Sequence, residues 1–305
     1  MKKIIFSLIA LFLGYTLCAQ KVDLTLQLEE GHTYHQRKQN NVTLSMEIFG
    51  FPVEMTMIYA SELSYHVLHQ DKNGYDMEMT LEDFSFVMET PQGEVIYGDI
   101  EEDNELKDFL SGIKGQKFKV KMTRKGALEN ISGLEDFRQA IMKMFPDTLE
   151  SSYSGISEKL VTEQIENILK NSRYESGIVY PKKPVKKGDS WPVRLKMTSS
   201  GMPVEMKYKS KFEGEFDDHY LVTSEGGFEI PPSVHLDLKD MKLEVDMKGK
   251  SDSEFKLNKD TGWPAWGRHV THAEGKLRLK NNEGGNEKFD IPVKIKIESY
   301  ITDLK

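Results

Sequence analysis

Three histidine pairs share one spacing in this 305-residue chain: His32 with His35, His66 with His69, and His269 with His272. On a helix that spacing turns both rings the same way and suits a zinc ion. The segments around them alternate like strands, where residues three apart face opposite sides of a sheet. A shared metal would need a bulge or a ligand from another strand. Surface and turn histidines are therefore the expectation, and a metal-dependent hydrolase is kept only as a third functional reading. Nucleophiles are scarcer still. There is no Gly-x-Ser-x-Gly elbow, the serines of SSYSGIS (151–157) open a helical pattern as caps, and the single cysteine, Cys18, sits in the leader. The wet faces of alternating strands account for most of the 49 acidic residues. With no base beside an evident nucleophile, the reading is of a protein without enzymatic activity, and no catalytic residue, metal or cofactor is assigned.

Methionine is the residue type that suggests a ligand. Fourteen of the 15 methionines follow Met1, many at inward positions of alternating strands. Flexible, polarizable side chains of this kind can line a surface for apolar molecules of variable shape, or can fill a core in place of Leu and Ile. The candidate binding set is Met46, Met55, Met57, Met77, Met79, Met197 and Met206, joined by Trp263 and Trp266 of DTGWPAWGRH (260–269). Two Trp three apart around Pro264 could stack on a carbohydrate or a protein partner, or could close the core at a hairpin corner.

The elements that must position these residues are mostly strands. MKLEVDMK (241–248), KFKVKM (117–122), GYDMEMTL (74–81) and FDIPVKIKIE (289–298) alternate apolar and charged residues with a period of two, one dry face and one wet. Asn73-Gly74, Gly93, Gly226-Gly227 and Gly284-Gly285 are read as hairpin turns. The period changes to a helical one in SGLEDFRQAIMKMF (132–145) and SEKLVTEQIENILK (157–170), with a shorter helix expected over 104–113. VTLSMEIFGFPVEM (42–55) and VRLKMTSSGMPVEM (193–206) agree at eight of fourteen positions with an offset of 151, which reads as one hairpin written twice. The expected fold is therefore α+β and mostly β: two related, curved antiparallel sheets from an internal duplication, with two or three helices at the waist. The boundaries are a signal peptide at 1–19, a first β-rich half at 20–131, a helical waist at 132–176 and a second β-rich half at 177–305.

Lys2 and Lys3 precede an apolar run from Ile4 to Leu13 that ends toward Ala19, the layout of a secretory leader. Lipidation at Cys18 is disfavoured because Leu17 stands where a small residue is required. The expected location is the periplasm or the cell exterior, with no transmembrane span after the leader. Without Lys2 and Lys3 the 41 basic residues fall to 39 against 49 acidic ones, a net charge of −10. Such a surface repels phosphate backbones, which excludes nucleic acid as a partner.

At FKVKMTRKGALENISGLEDF (118–137), PKKPVKKGDSW (181–191) and LNKDTGW (257–263) the chain resembles an uncharacterised family of secreted Bacteroidetes proteins of about 300 residues. The resemblance implies an exported protein and carries over no catalytic residue. The leading functional reading is a non-enzymatic cell-envelope protein that binds an apolar, lipid-like molecule on curved sheets. The alternative is a structural or protein-binding envelope component with no ligand.

Overall fold

The computed structural model describes residues 21–90, 93–97, 114–135, 178, 180–199, 202–230, 235–238, 241–281 and 288–304. The strands are β1 (Thr33–Ile48), β2 (Phe51–Gln70), β3 (Gly74–Thr90), β4 (Gly93–Tyr97), β5 (Lys117–Thr123), β6 (Leu128–Ser132), β7 (Ser190–Ser199), β8 (Met202–Glu215), β9 (His219–Ile230), β10 (His235–Leu238), β11 (Met241–Asn258), β12 (Pro264–Asn281) and β13 (Lys288–Asp303). Strict alternation makes them. In β5, Phe118, Val120 and Met122 are buried while Lys117, Lys119 and Lys121 are exposed. Of the expected helices, 104–113 and 157–170 lie outside the described residues, as does 132–145 beyond Glu135; Ser132 itself ends β6, so a strand reaches into the start of the expected helical waist at 132–176.

All thirteen strands belong to one antiparallel sheet, ordered β6-β5-β3-β2-β1-β13-β12-β11-β9-β8-β7, with β4 against β3 and β10 against β11. This corrects the expectation of two sheets. Each half is a meander, and the first strand of one meets the last strand of the other: β1 pairs with β13 from Gln36↔Asp303 to Met46↔Val293. The join satisfies two rows of backbone donors and acceptors that separate sheets would leave open. It also keeps like beside like, because Leu44 faces Ile295 and Met46 faces Val293. The repeated phrase forms two hairpins in the same register: Met46↔Val53 and Leu44↔Met55 in the first, Met197↔Val204 and Leu195↔Met206 in the second. The equivalence stops at the hairpins, since β1 lies inside the sheet and β7 at its edge.

The sheet is rolled. Laid flat, the six strand steps from β5 to β11 would span about 29 Å. Yet two consecutive residues of the N-terminal strap touch both ends: Leu26 N donates to Arg124 O beyond β5 (2.8 Å), and Gln27 N donates to Thr261 O in the β11–β12 turn (2.7 Å). The strap also pairs Val22 with Val185 ahead of β7. Its Leu24, Leu26 and Leu28 are 2% exposed and enter a core built with Tyr65, Met77, Met79, Phe118, Phe255 and Trp263. Tyr75 clamps the strap: its hydroxyl donates to Leu26 O (2.7 Å) and accepts from Leu28 N (3.1 Å).

Tight rolling crowds the inner face, and glycine relieves the crowding. Aromatic rings lie directly over glycines on the neighbouring strand at Tyr208/Gly226, Phe228/Gly249 and Phe255/Gly267. The β1–β2 turn has a different strain. Both central residues have positive φ, Phe49 at 53° and Gly50 at 81°, and for a bulky side chain that conformation costs about 1–2 kcal/mol.

A Cβ at Gly267 would stand 2.4 Å from the Phe255 ring, which is 1% exposed and has nowhere to go. Gly267→Ala is therefore expected to lower unfolding stability in urea by about 1–3 kcal/mol. The double variant with Phe255→Leu should recover part of that loss, and strict additivity of the two substitutions would refute the contact.

Candidate functional site

The inner face divides into three bands along the strands. The first is the strap-covered core. The second is a row of polar residues set in register across six adjacent strands: Asn40, Ser299, His269, Ser253, Ser224 and Ser210. All six are buried, and Thr271 and Ser251 back them one inner-face position further along. Buried hydroxyls must find partners. Ser210 bonds Ser224 (2.8 Å), Ser251 bonds Thr271 (2.8 Å), Thr271 bonds His269 Nε2 (3.0 Å), and Ser299 donates to Asn40. The exception is His269 Nδ1, which is buried with no partner. Burial pushes the His269 pKa down to about 4, only partly opposed by Asp252, and pushes the neighbouring Tyr208 up to about 12.

The third band is apolar. Val204, Ile230, Val245, Met247, Ala273, Ile291 and Val293 are buried, with Leu44, Met46, Ile48, Met206, Phe228 and Ile295 packed against them. Among the described residues, every member of this cluster belongs to the sheet itself, whereas the first core also draws on the strap and on Ile178, Tyr180 and Val185.

The predicted site residues separate accordingly. Met46, Met55, Met57 and Met206 are half-buried at inner positions of the third band and its flank, and Met197 stands opposite Val204 in β7. Met77 and Met79 are 1% and 0% exposed in the strap-covered core. The two tryptophans do not share a surface. Trp263 is buried against Tyr34 and Tyr65 (centroids 5.3 and 5.4 Å), and Trp266 is half-buried beyond Pro264 with Lys256 Nζ 5.5 Å over its ring. Of the histidine pair, His269 is buried and His272 exposed. No group of three potential metal ligands occurs among the described residues. The polar row was missed because serines inside β9 and β11 become a feature only when the register aligns them.

The hollows have other chemistry, although one of them also touches the third band at Met46 and Val293. A cavity of about 60 Å³ beside Gln36, Lys38, Tyr180 and Trp263 has room for a few waters. A hollow of about 630 Å³ is lined by Glu47, Asp246, Lys248, Glu274, Lys276 and Lys294 among others, charges of both signs. Another, of about 350 Å³ beside the strap, is lined by Lys21, Asp23, Glu215 and Lys259 among others.

Residues 72–264, well over half of the chain, match a family of unknown function, DUF6263. The chain belongs to that family. Its match begins at the β2–β3 turn and ends at Pro264, so it takes in three of the six residues of the polar row, Ser210, Ser224 and Ser253, and leaves out the β1–β13 join. A comparison with curated proteins finds none that matches. Among solved structures, this DUF6263 chain is similar to lipovitellin, from a study of its lipid–protein interactions, at 9% identity and a TM-score of 0.48. That match covers 92% of this chain and 26% of lipovitellin, so the chain spans about a quarter of the neighbour's length. It is also similar to OccK2 (OpdF) of Pseudomonas aeruginosa, at 8% identity and a TM-score of 0.22, covering 91% of this chain and 100% of that one. DynF from the dynemicin biosynthesis pathway of Micromonospora chersina matches at 7% identity and a TM-score of 0.20, covering 93% and 85%. At these identities no residue role passes from any of them to this chain. No helix among the described residues is long and apolar enough to cross a membrane.

His269 makes the fold acid-sensitive. Its folded pKa of about 4 lies below its ordinary 6.5, so between those values the unfolded chain binds more protons. The stability from this group is complete above pH 6.5 and is lost as pH falls toward 4, a change on the order of 3 kcal/mol. Urea titrations at stepped pH should show His269→Asn with a shallower decline than the parent across that window. Equal slopes would mean that the imidazole is not held neutral.

Proposed function

We propose that this protein is a non-enzymatic binding protein that holds an apolar molecule, such as an acyl chain or another lipid, on the third band of its rolled sheet. The observation that carries the reading is the contrast between the two inner cores. One takes cover from chain outside the sheet, and the other takes none among the described residues. Around the seven buried residues of this band, Leu44, Met46, Ile48, Met206 and Phe228 stay only partly buried, and flexible methionines among them suit a guest of variable shape. The polar row fits a limit to how deep an apolar guest sits, because a chain lying across buried hydroxyls would strand them. The leader-like N-terminus supports export to the cell envelope.

Organic extraction of natively purified protein followed by mass spectrometry should recover lipid at near-stoichiometric amounts. Delipidated protein should take up a fluorescent fatty acid, and Met57→Lys with Met206→Lys should weaken uptake at least tenfold. Protein that purifies clean and ignores the probe would leave the structural, ligand-free reading in its place.

A further inference from the structure

The β1–β2 hairpin ends in two aromatic rings that bury almost nothing: Phe49 is 75% exposed and Phe51 is 73% exposed. Phe49 occupies the left-handed first central position of a two-residue turn, where asparagine, aspartate or glycine is the ordinary choice. A bulky residue held there gains little burial to offset the strain, an outlier of the kind that points to a role beyond folding. The tip is uncharged from Ile48 through Val53, IFGFPV, with Glu47 and Glu54 immediately behind it. Phe289 of β13 adds a third ring, its centroid 4.5 Å from that of Phe49. Ile48 and Phe289 both pack on the third apolar band, so the tip continues that band outward.

We propose that this tip is a lipid-contacting finger, with Phe49 and Phe51 entering the boundary between head groups and acyl chains of a bilayer. A protein partner is the poorer fit: specific protein interfaces bury about 800 Å² per side, and the end of a two-stranded ribbon cannot offer that. Partition into a bilayer interface needs only apolar area, which two exposed phenyl rings supply. The acidic pair behind the tip and the formal net charge of −8 give no attraction to anionic lipid. Neutral vesicles should therefore suffice, and salt should matter little. The inference goes beyond ligand binding and does not require it, although a finger continuous with the apolar band would let a guest pass from bilayer to sheet without crossing water.

The full chain is tested by co-sedimentation with dioleoylphosphatidylcholine vesicles at low and high salt. The parent should bind at both, and Phe49→Asn with Phe51→Thr should reduce partition at least tenfold. Asparagine suits the left-handed position, so the thermal midpoint of the double variant should not fall, and its uptake of the fluorescent fatty acid should match the parent's. Failure of the parent to bind neutral vesicles, undiminished binding by the double variant, or binding that needs anionic lipid and vanishes in salt would each overturn the proposal. Parent protein that binds vesicles but takes up no fatty acid would overturn the ligand reading instead.

Discussion

Three leucines on one short strap set the shape of the sheet. A single antiparallel sheet with an oily inner face has no second sheet to bury it against, so it must be covered or rolled. Leu24, Leu26 and Leu28 give the rolled end a centre, each worth roughly 2 kcal/mol in burial. Backbone hydrogen bonds to Arg124 O and Thr261 O then fix how far the roll goes. Remove the strap and the ends of β5 and β11 have nothing to meet on. The core, the buried Trp263 and the depth at which the polar row lies would all lose their reference.

Most local features were legible in the sequence and non-local ones were not, although Gly226-Gly227, read as a turn, lies inside β9, where Gly226 makes room for the Tyr208 ring. Alternation in KFKVKM and MKLEVDMK announces β5 and β11, and the repeated phrase announces two hairpins whose register the structure matches pair for pair. The joining of the halves was illegible because it depends on pairs such as Asn40 with Ser299, 259 residues apart, and no periodicity reports which edges meet. The tryptophans show a smaller version of the same limit. Spacing alone leaves Trp263 and Trp266 as neighbours, whereas a register shift between Lys256 and Leu257, opposite Pro264, leaves one inside and the other beyond the corner. Six in-register polar residues are likewise invisible until all six strands are placed.

Burying such a row costs desolvation that apolar residues would not, so its retention calls for a reason. Specification of register is one. A slip of one residue between β1 and β13 would turn Asn40 away from Ser299 and place charged outer residues opposite the inner apolar ones, which neither side chain pattern tolerates. Separation of the two apolar bands is another, since hydroxyls bonded in pairs present no surface that an acyl chain can profitably cover. His269 serves the first purpose incompletely. It bonds Thr271 through Nε2 and leaves a buried Nδ1 unmatched.

The two ends of the roll thus meet water by opposite means. At the strap end the apolar cluster includes side chains from outside the sheet, and two tyrosine hydroxyls, those of Tyr75 and Tyr180, tie that cover to backbone carbonyls. At the hairpin end the apolar face runs on into Phe49 and Phe51, which stay largely exposed, and Phe49 also holds an unfavourable backbone. A chain under pressure only to fold would place Asn-Gly in that turn and polar residues at its flanks. Phe-Gly-Phe in their place locates the unfinished surface of this molecule, and with it the side from which a hydrophobic guest or an apolar medium would be met.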